Sequence, residues 1–125
     1  MSGHRLMSAG QLRGSERSMA MLAVEWWAVM TAALPPPRKT RLRFYRIPPP
    51  DDPRCPGYVD TDSRGLFLAL QILDCQQCMA HNFQHEYTHL RDWRDSERSD
   101  EHHGDGFYLH LKDVEDAFRR DGRDR

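Results

Sequence analysis

Three segments of the chain carry apolar residues at the spacing of an amphipathic helix. They predict helices over residues 15–34, 74–92 and 107–121. The apolar positions are, in chain order, Met19, Leu22, Trp26 and Val29; Met79, Phe83 and Leu90; and Phe107, Leu111, Val114 and Phe118. Trp26 is expected to pack in the core together with Trp27. Three consecutive prolines end the first helix, because proline lacks the amide donor.

The stretch between the first two helices shows the patterns of β-strands. Residues 38–47 alternate Leu42 and Phe44 with arginines, which predicts a strand with one apolar and one basic face. Residues 58–60 predict a short second strand. Residues 66–73 form the most apolar run of the chain. Its length and its position before a helix favour a buried strand, although the run itself is also compatible with a buried helix.

Taken together, these elements predict a single α+β domain. A chain of 125 residues is long enough for one modest hydrophobic core. Residues 1–14 contain scattered glycine, serine and arginine without periodicity, and we expect a disordered lead there. The domain then covers residues 15–122, and residues 123–125 form a frayed tail.

The overall composition is that of a polar but foldable protein. Apolar residues make up 38% of the chain and charged residues 30%, with a net charge of −1. This balance argues against bulk attraction to nucleic acid or to an anionic membrane. The apolar run over residues 19–34 contains Glu25 and is too short for a comfortable membrane span. We therefore expect neither a signal peptide nor a membrane partner.

The chain has three cysteines, and this odd number argues against a disulfide framework. A reducing, cytoplasmic setting is the simpler interpretation. Cys75 and Cys78 form a C-x-x-C pair at the start of the second predicted helix, and Cys55 alone could not complete a metal site with them. We expect Cys75 and Cys78 to be small buried or half-exposed thiols with no redox or metal-binding role.

The second predicted helix contains the pattern H-E-x-x-H at residues 85–89. Asp74 is expected to cap this helix, with Gln77 reaching back to complete a capping box. Residues four apart lie one turn apart on nearly the same helix face, and His85 and His89 can therefore bind one metal ion together. Glu86 falls between the histidine face and the apolar stripe, where it can accept a proton from a water molecule.

A catalytic zinc site normally has three protein ligands and one position for water. His102, His103 and His110 are all within one connection of the second helix and could supply the third ligand. His81, one turn before the histidine pair, is expected to be a surface residue.

A second motif distinguishes among these candidates. Residues 103–107 read H-G-D-G-F and follow His89 after thirteen residues. The two motifs together resemble the SprT-like (Spartan/SprT-type) family of zincin metalloproteases, whose pattern is H-E-x-x-H, a charged segment, and a third histidine in H-G-x-x-F. The resemblance selects His103 over His102. It spans residues 15–122, with departures at Tyr87 and Thr88, often apolar in the family, and at residues 105–106.

The resemblance implies a fold, a cofactor and an activity. The fold would be a zincin-like minimal protease core with an N-terminal helix, a small sheet, the active-site helix and a C-terminal helix. One Zn²⁺ ion would be bound by His85, His89 and His103. Peptide hydrolysis would use a zinc-activated water with Glu86 as the general base. Tyr108 and His110 are candidates for stabilising the oxyanion, although packing or surface roles are commoner for such residues.

Five basic residues lie between the two proline-rich stretches without an acidic neighbour in the sequence. They are Arg38, Lys39, Arg41, Arg43 and Arg46. Charge can protect an edge strand from pairing with other chains, or it can form a weak, salt-dependent contact with DNA. The second interpretation would suit a protease that acts on DNA-associated proteins. The substrate would then be a protein or peptide, and a monomer is assumed.

An alternative hypothesis belongs to a different functional class. The chain could be a catalytically inactive SprT-like fold that serves as a nucleic-acid or protein binding adaptor. Zinc content and a Glu86→Gln variant distinguish the two hypotheses.

Overall fold

The computed structural model describes residues 3–93 and 105–123. Its helices and strands are, in chain order, α1 (Gly14–Ala33), β1 (Thr40–Tyr45), β2 (Gly57–Asp62), β3 (Gly65–Gln71), α2 (Gln76–Arg91) and α3 (Asp105–Ala117). A short 3-10 helix, Ala9–Gln11, precedes α1, and a π-helical segment, Phe118–Arg123, follows α3. The predicted α+β class is confirmed. Over these two ranges, no helix has both the length and the apolar character that crossing a membrane requires.

The helix boundaries lie close to the predicted ones, but the start of α2 differs in its cap. The N-cap residue is Cys75, whose Sγ accepts a hydrogen bond from the backbone N–H of Cys78 at 3.1 Å. The prediction that Asp74 caps this helix is therefore wrong. The expectation of separate thiols is also wrong, because Cys75 and Cys78 are joined by a disulfide bond.

The sheet has β3 at its centre within the described residues. β1 pairs with β3 in parallel, and β2 pairs with it antiparallel. All five residues from Leu66 to Leu70 are buried, because helices cover one face of the sheet and a smaller apolar cluster covers the other. The apolar run is thus a strand and not a helix. β2 and β3 are joined by a tight turn that ends at Gly65, whose φ of 110° is in the region that favours glycine.

The main core lies between the sheet and the helices α1 and α2. Phe44, Leu68 and Leu70 contribute from the sheet. From the helices, the ring of Trp26 lies 5.7 Å from that of Phe83 and 5.6 Å from that of Phe118, measured between centroids. The expectation that the tryptophans pack in the core is confirmed, with Trp26 4% exposed and Trp27 half-buried against it.

The segment before α1 is ordered from residue 3, although the sequence predicts a disordered lead. Met7 and Phe44 exchange two backbone hydrogen bonds, of 2.7 and 2.8 Å, which extends the sheet beyond β1. Leu12 is fully buried in the main core. Single side chains and one backbone bridge hold this segment, and such contacts do not need apolar residues at regular spacing. The contacts of the segment could therefore not be predicted from hydrophobic periodicity.

The C-terminal end of α1 is attached to α2 by two hydrogen bonds. The Tyr87 hydroxyl donates to the carbonyl of Leu34 at 2.6 Å, and Arg91 Nη1 donates to the carbonyl of Pro35 at 2.8 Å. Carbonyls at a helix end have no partner within the helix and need one from elsewhere. Both donors lie on α2, within or just after the H-E-x-x-H motif. The motif therefore also contributes to packing.

The buried position of Leu12 can be tested by mutation. We expect Leu12→Ala to lower the free energy of unfolding by about 2–5 kcal/mol, because it removes a core side chain and leaves a cavity. Leu109→Ala is the matched control, since Leu109 on α3 is 71% exposed and its change should be within about 0.5 kcal/mol. Urea denaturation followed by tryptophan fluorescence measures both. Equal effects of the two variants would contradict the packed N-terminal segment.

Candidate metal centre

The rotation of α2 about its axis is set by its apolar stripe. Met79, Phe83 and Leu90 are fully buried, as predicted. With 3.6 residues per turn, this orientation directs His85 and His89 away from the main core. His89 is 7% exposed and His85 is half-buried, whereas His81 is exposed as expected.

The two histidines of the motif are close enough to bind one ion. Their Nε2 atoms lie 3.2 Å apart, and their ring centroids are 4.8 Å apart. Two nitrogens that each lie about 2.0–2.1 Å from a tetrahedral zinc are separated by about 3.3–3.4 Å. The pair therefore fits two corners of a zinc site. The same separation also allows an N–H···N hydrogen bond between the rings when no metal is bound.

Glu86 is buried beside the histidine pair, with 5% of its surface exposed. Its side chain packs against Gly57 at the start of β2. A Cβ atom at position 57 would lie 2.7 Å from Glu86 Cγ and 3.0 Å from the carbonyl oxygen of Ala69. Only glycine leaves room for this approach. No pattern in the sequence connects Gly57 with Glu86, since the contact depends on tertiary packing.

Two buried side chains hold the segment that leads into Gly57. The Cys55 thiol donates to the carbonyl of Gly57 at 3.0 Å, and the Tyr45 hydroxyl donates to the carbonyl of Cys55 at 2.7 Å. Burial raises the pKa of the Cys55 thiol, and burial with the bond to Cys55 raises the pKa of Tyr45. Both groups therefore stay protonated near neutral pH and act as donors. They fix the backbone that Glu86 packs against.

Phe107, at the start of α3, packs against both histidine rings. Its ring centroid lies 5.3 Å from that of His85 and 4.6 Å from that of His89, and its side chain is 2% exposed. The last residue of the second sequence motif is therefore in contact with the first motif. His103, the predicted third ligand, and His102 lie outside the described residues.

The remaining candidates on α3 do not join the histidine pair. His110 Nε2 lies 3.7 Å from a carboxylate oxygen of Asp92, and Tyr108 is 58% exposed. In the described part of the chain, no group of three or more His, Cys, Asp or Glu residues is arranged to hold a metal ion. His110 is thus not brought to the pair as a third ligand.

Tyr87 and Thr88 occupy the two variable positions of the motif, and both are fully buried. The Thr88 hydroxyl donates to the carbonyl of Gln84 at 2.7 Å, one turn back. Burial raises the pKa of Tyr87, whose hydroxyl binds the end of α1. These residues fill the space that apolar side chains would fill, and their polar atoms have partners within the fold.

The basic residues between positions 38 and 46 are partly neutralised. Arg41 forms an ion pair with Asp62, and its guanidinium lowers the pKa of that carboxyl group. Arg46 forms a two-pronged ion pair with Glu16, and the Arg46 hydrogen bond lowers the pKa of Glu16. Arg43 donates to the carbonyl of Leu42 at 2.9 Å. Less positive charge is therefore available to DNA than the sequence suggests.

Comparisons with known proteins add no family to these observations. A comparison with protein-family models finds no match to this chain, and comparisons with curated proteins and with solved structures find none either. The resemblance to SprT-like proteases stays a prediction from the two motifs.

The close approach of Gly57 to Glu86 leads to a prediction. Gly57→Ala should lower the free energy of unfolding by about 1–3 kcal/mol, because the added methyl group forces Glu86 or β2 to move. Gly10→Ala is the matched control, since a Cβ there would meet nothing closer than Ser8 Oγ at 4.0 Å. Thermal and urea unfolding of both variants measure the difference. A Gly57→Ala protein as stable as Gly10→Ala would contradict the contact.

Proposed function

We propose that this protein is a zinc-dependent metallopeptidase in which Glu86 is the general base. The observation that carries the proposal is the 3.2 Å separation of the Nε2 atoms of His85 and His89, next to the buried carboxylate of Glu86. A hydrogen-bonded histidine pair alone would explain the separation. It would not explain why the residue next to His85 is a buried carboxylate, a kind of group that is often found buried where it takes part in catalysis.

His103 is the third ligand in this proposal. The support comes from Phe107, four positions later, which contacts the rings of both other ligands. His103 is also only two positions before Asp105, the first residue of α3. The zincin-like character of the fold belongs to the same proposal, and the three-stranded sheet with α2 across it is compatible with that fold.

Each residue of the site has a defined part in peptide hydrolysis. A bound zinc ion would supply a water molecule that ionises near neutral pH and a Lewis acid for the peptide carbonyl. Glu86 would accept a proton from that water at a carboxylate oxygen and deliver it to the leaving amine. Gly57 leaves room for the Glu86 side chain, and Phe107 covers the histidine rings on one side.

The adaptor hypothesis and the DNA contact have less support. A binding protein would need no buried carboxylate beside the histidines. Arg41 and Arg46 each have an acidic partner, and a DNA contact through this basic segment would therefore be weak and salt-dependent. Action on DNA-associated proteins and a cytoplasmic location both remain predictions.

Substitution of the general base tests the enzyme hypothesis. Glu86→Gln should keep its zinc and lose at least about 100-fold in the rate of casein cleavage, because the amide cannot accept the proton. His85→Ala is the companion variant, and it should lose both zinc and activity. Zinc content by mass spectrometry and cleavage assays with and without DNA measure these effects. Wild-type protein that binds zinc but cleaves no more than Glu86→Gln would support the adaptor hypothesis instead.

A pair of neighbouring substitutions tests the third ligand. Changes to groups that only orient a ligand cost about 10- to 100-fold in metal affinity, and we expect His103→Ala to cost at least as much. His102→Ala is the matched control and should bind zinc as the wild type does. Competition with a chromogenic chelator measures both affinities. The assignment is wrong if His102→Ala is the variant that loses zinc.

A further inference from the structure

The disulfide between Cys75 and Cys78 has no part in the proposed zinc chemistry. It closes the first turn of α2, with Cys75 as the N-cap residue and Cys78 three positions later. The two sulfurs differ in environment. Cys75 is half-buried and its Sγ accepts the backbone N–H of Cys78, whereas Cys78 is exposed.

The position of Cys78 on the helix connects it with the candidate metal centre. His85 follows it by seven residues, which is two helical turns with a rotation of only about 20°. Cys78 therefore lies on the same face of α2 as His85 and His89, displaced by about 10 Å along the helix axis. A group attached to Cys78 would lie at the N-terminal end of the α2 face that carries His85 and His89.

The disulfide closes a loop of only four residues. The chain entropy that a disulfide removes from the unfolded state is smallest for such short loops. The helix start also has other support, since Met79 is fully buried in the core. Stability alone does not account for two cysteines at this position, one of them exposed to solvent.

We propose that Cys75 and Cys78 form a thiol–disulfide exchange site that reacts with small thiols and disulfides of the glutathione type through the exposed Cys78. In the reducing direction, the thiolate of one glutathione attacks Cys78 Sγ. The bond between the two cysteine sulfurs breaks, and Cys75 leaves as a thiolate. A second glutathione then attacks the mixed disulfide. The products are two cysteine thiols and one oxidised glutathione.

The structure determines which sulfur is attacked and which one leaves. Exchange requires in-line access to the sulfur under attack, and only Cys78 is exposed. The leaving thiolate at Cys75 would be stabilised by the N–H of Cys78 and by the N-terminal end of the helix dipole. Cys55 does not compete, because it is 7% exposed and burial raises the pKa of its thiol.

This site would also influence the proposed peptidase. A glutathione bound to Cys78 would obstruct one end of the histidine face and slow the cleavage of proteins. That consequence rests on the proposed function. The exchange reaction itself does not, because it involves neither zinc nor Glu86.

Two single variants and the wild type test the exchange. With oxidised glutathione, the Cys75→Ser protein should gain one glutathione at Cys78. The Cys78→Ser protein should react at half-buried Cys75 about tenfold more slowly. Lower access should outweigh the stabilisation of the Cys75 thiolate, since the intrinsic nucleophilicity of a thiolate falls as its pKa falls. Serine at position 75 can still cap the helix. Intact mass and peptide mapping measure the adducts, and unmodified Cys55 reports that the protein stays folded.

The wild type, incubated natively with reduced glutathione, should open its disulfide while Cys55 remains unmodified. A disulfide that persists until the protein unfolds would overturn the proposal, as would equal rates for the two variants. The reactions are repeated in His85→Ala, which cannot bind zinc in the proposed way. Exchange that persists in the His85→Ala protein supports the exchange site at Cys75 and Cys78. This result does not depend on whether the wild type shows peptidase activity, and it is therefore independent of the proposed function.

Discussion

The rotation of α2 is the constraint on which the candidate centre depends. Its apolar stripe is fully buried between the sheet and α1, and a rotation of even one residue would expose Phe83 or Leu90 at a cost of about 1.5–3 kcal/mol each. The helical period then places His85 and His89 outside the core and Glu86 at its edge. The geometry of the proposed zinc site is therefore a consequence of core packing, and no separate element is needed to orient the pair.

Elements with a regular pattern were predictable from the sequence. α1 and α2 lie within two residues of their expected bounds, because each needs a continuous apolar stripe to pack. The histidine pair followed from the same period. The partner of Glu86 did not, since Gly57 meets it only through the register of β2 on β3 and the position of α2 above them. No local pattern encodes a contact between residues that are far apart in sequence.

Three features did not follow from a periodic pattern, each for a different reason. Met7 and Leu12 are held one at a time, and isolated apolar residues resemble those of a disordered segment. Cys75 replaces the expected Asp74 as the cap because its sulfur accepts an N–H of the first turn. His103 depends on a resemblance between two short motifs, and its position lies outside the described residues. Met7 and Leu12 show that solitary contacts can order a segment that lacks periodicity.

The attachment of α1 to α2 has a consequence for cooperativity. The carbonyls of Leu34 and Pro35, directly after α1, accept hydrogen bonds from Tyr87 and Arg91, and Tyr87 lies inside the H-E-x-x-H motif. Separation of the two helices would break both hydrogen bonds and expose the buried Tyr87 ring to water, which is unfavourable. The two helices therefore form one unit of local unfolding. A substitution that destabilises the proline-rich end of α1 is therefore expected to destabilise α2 as well, and with it the histidine pair.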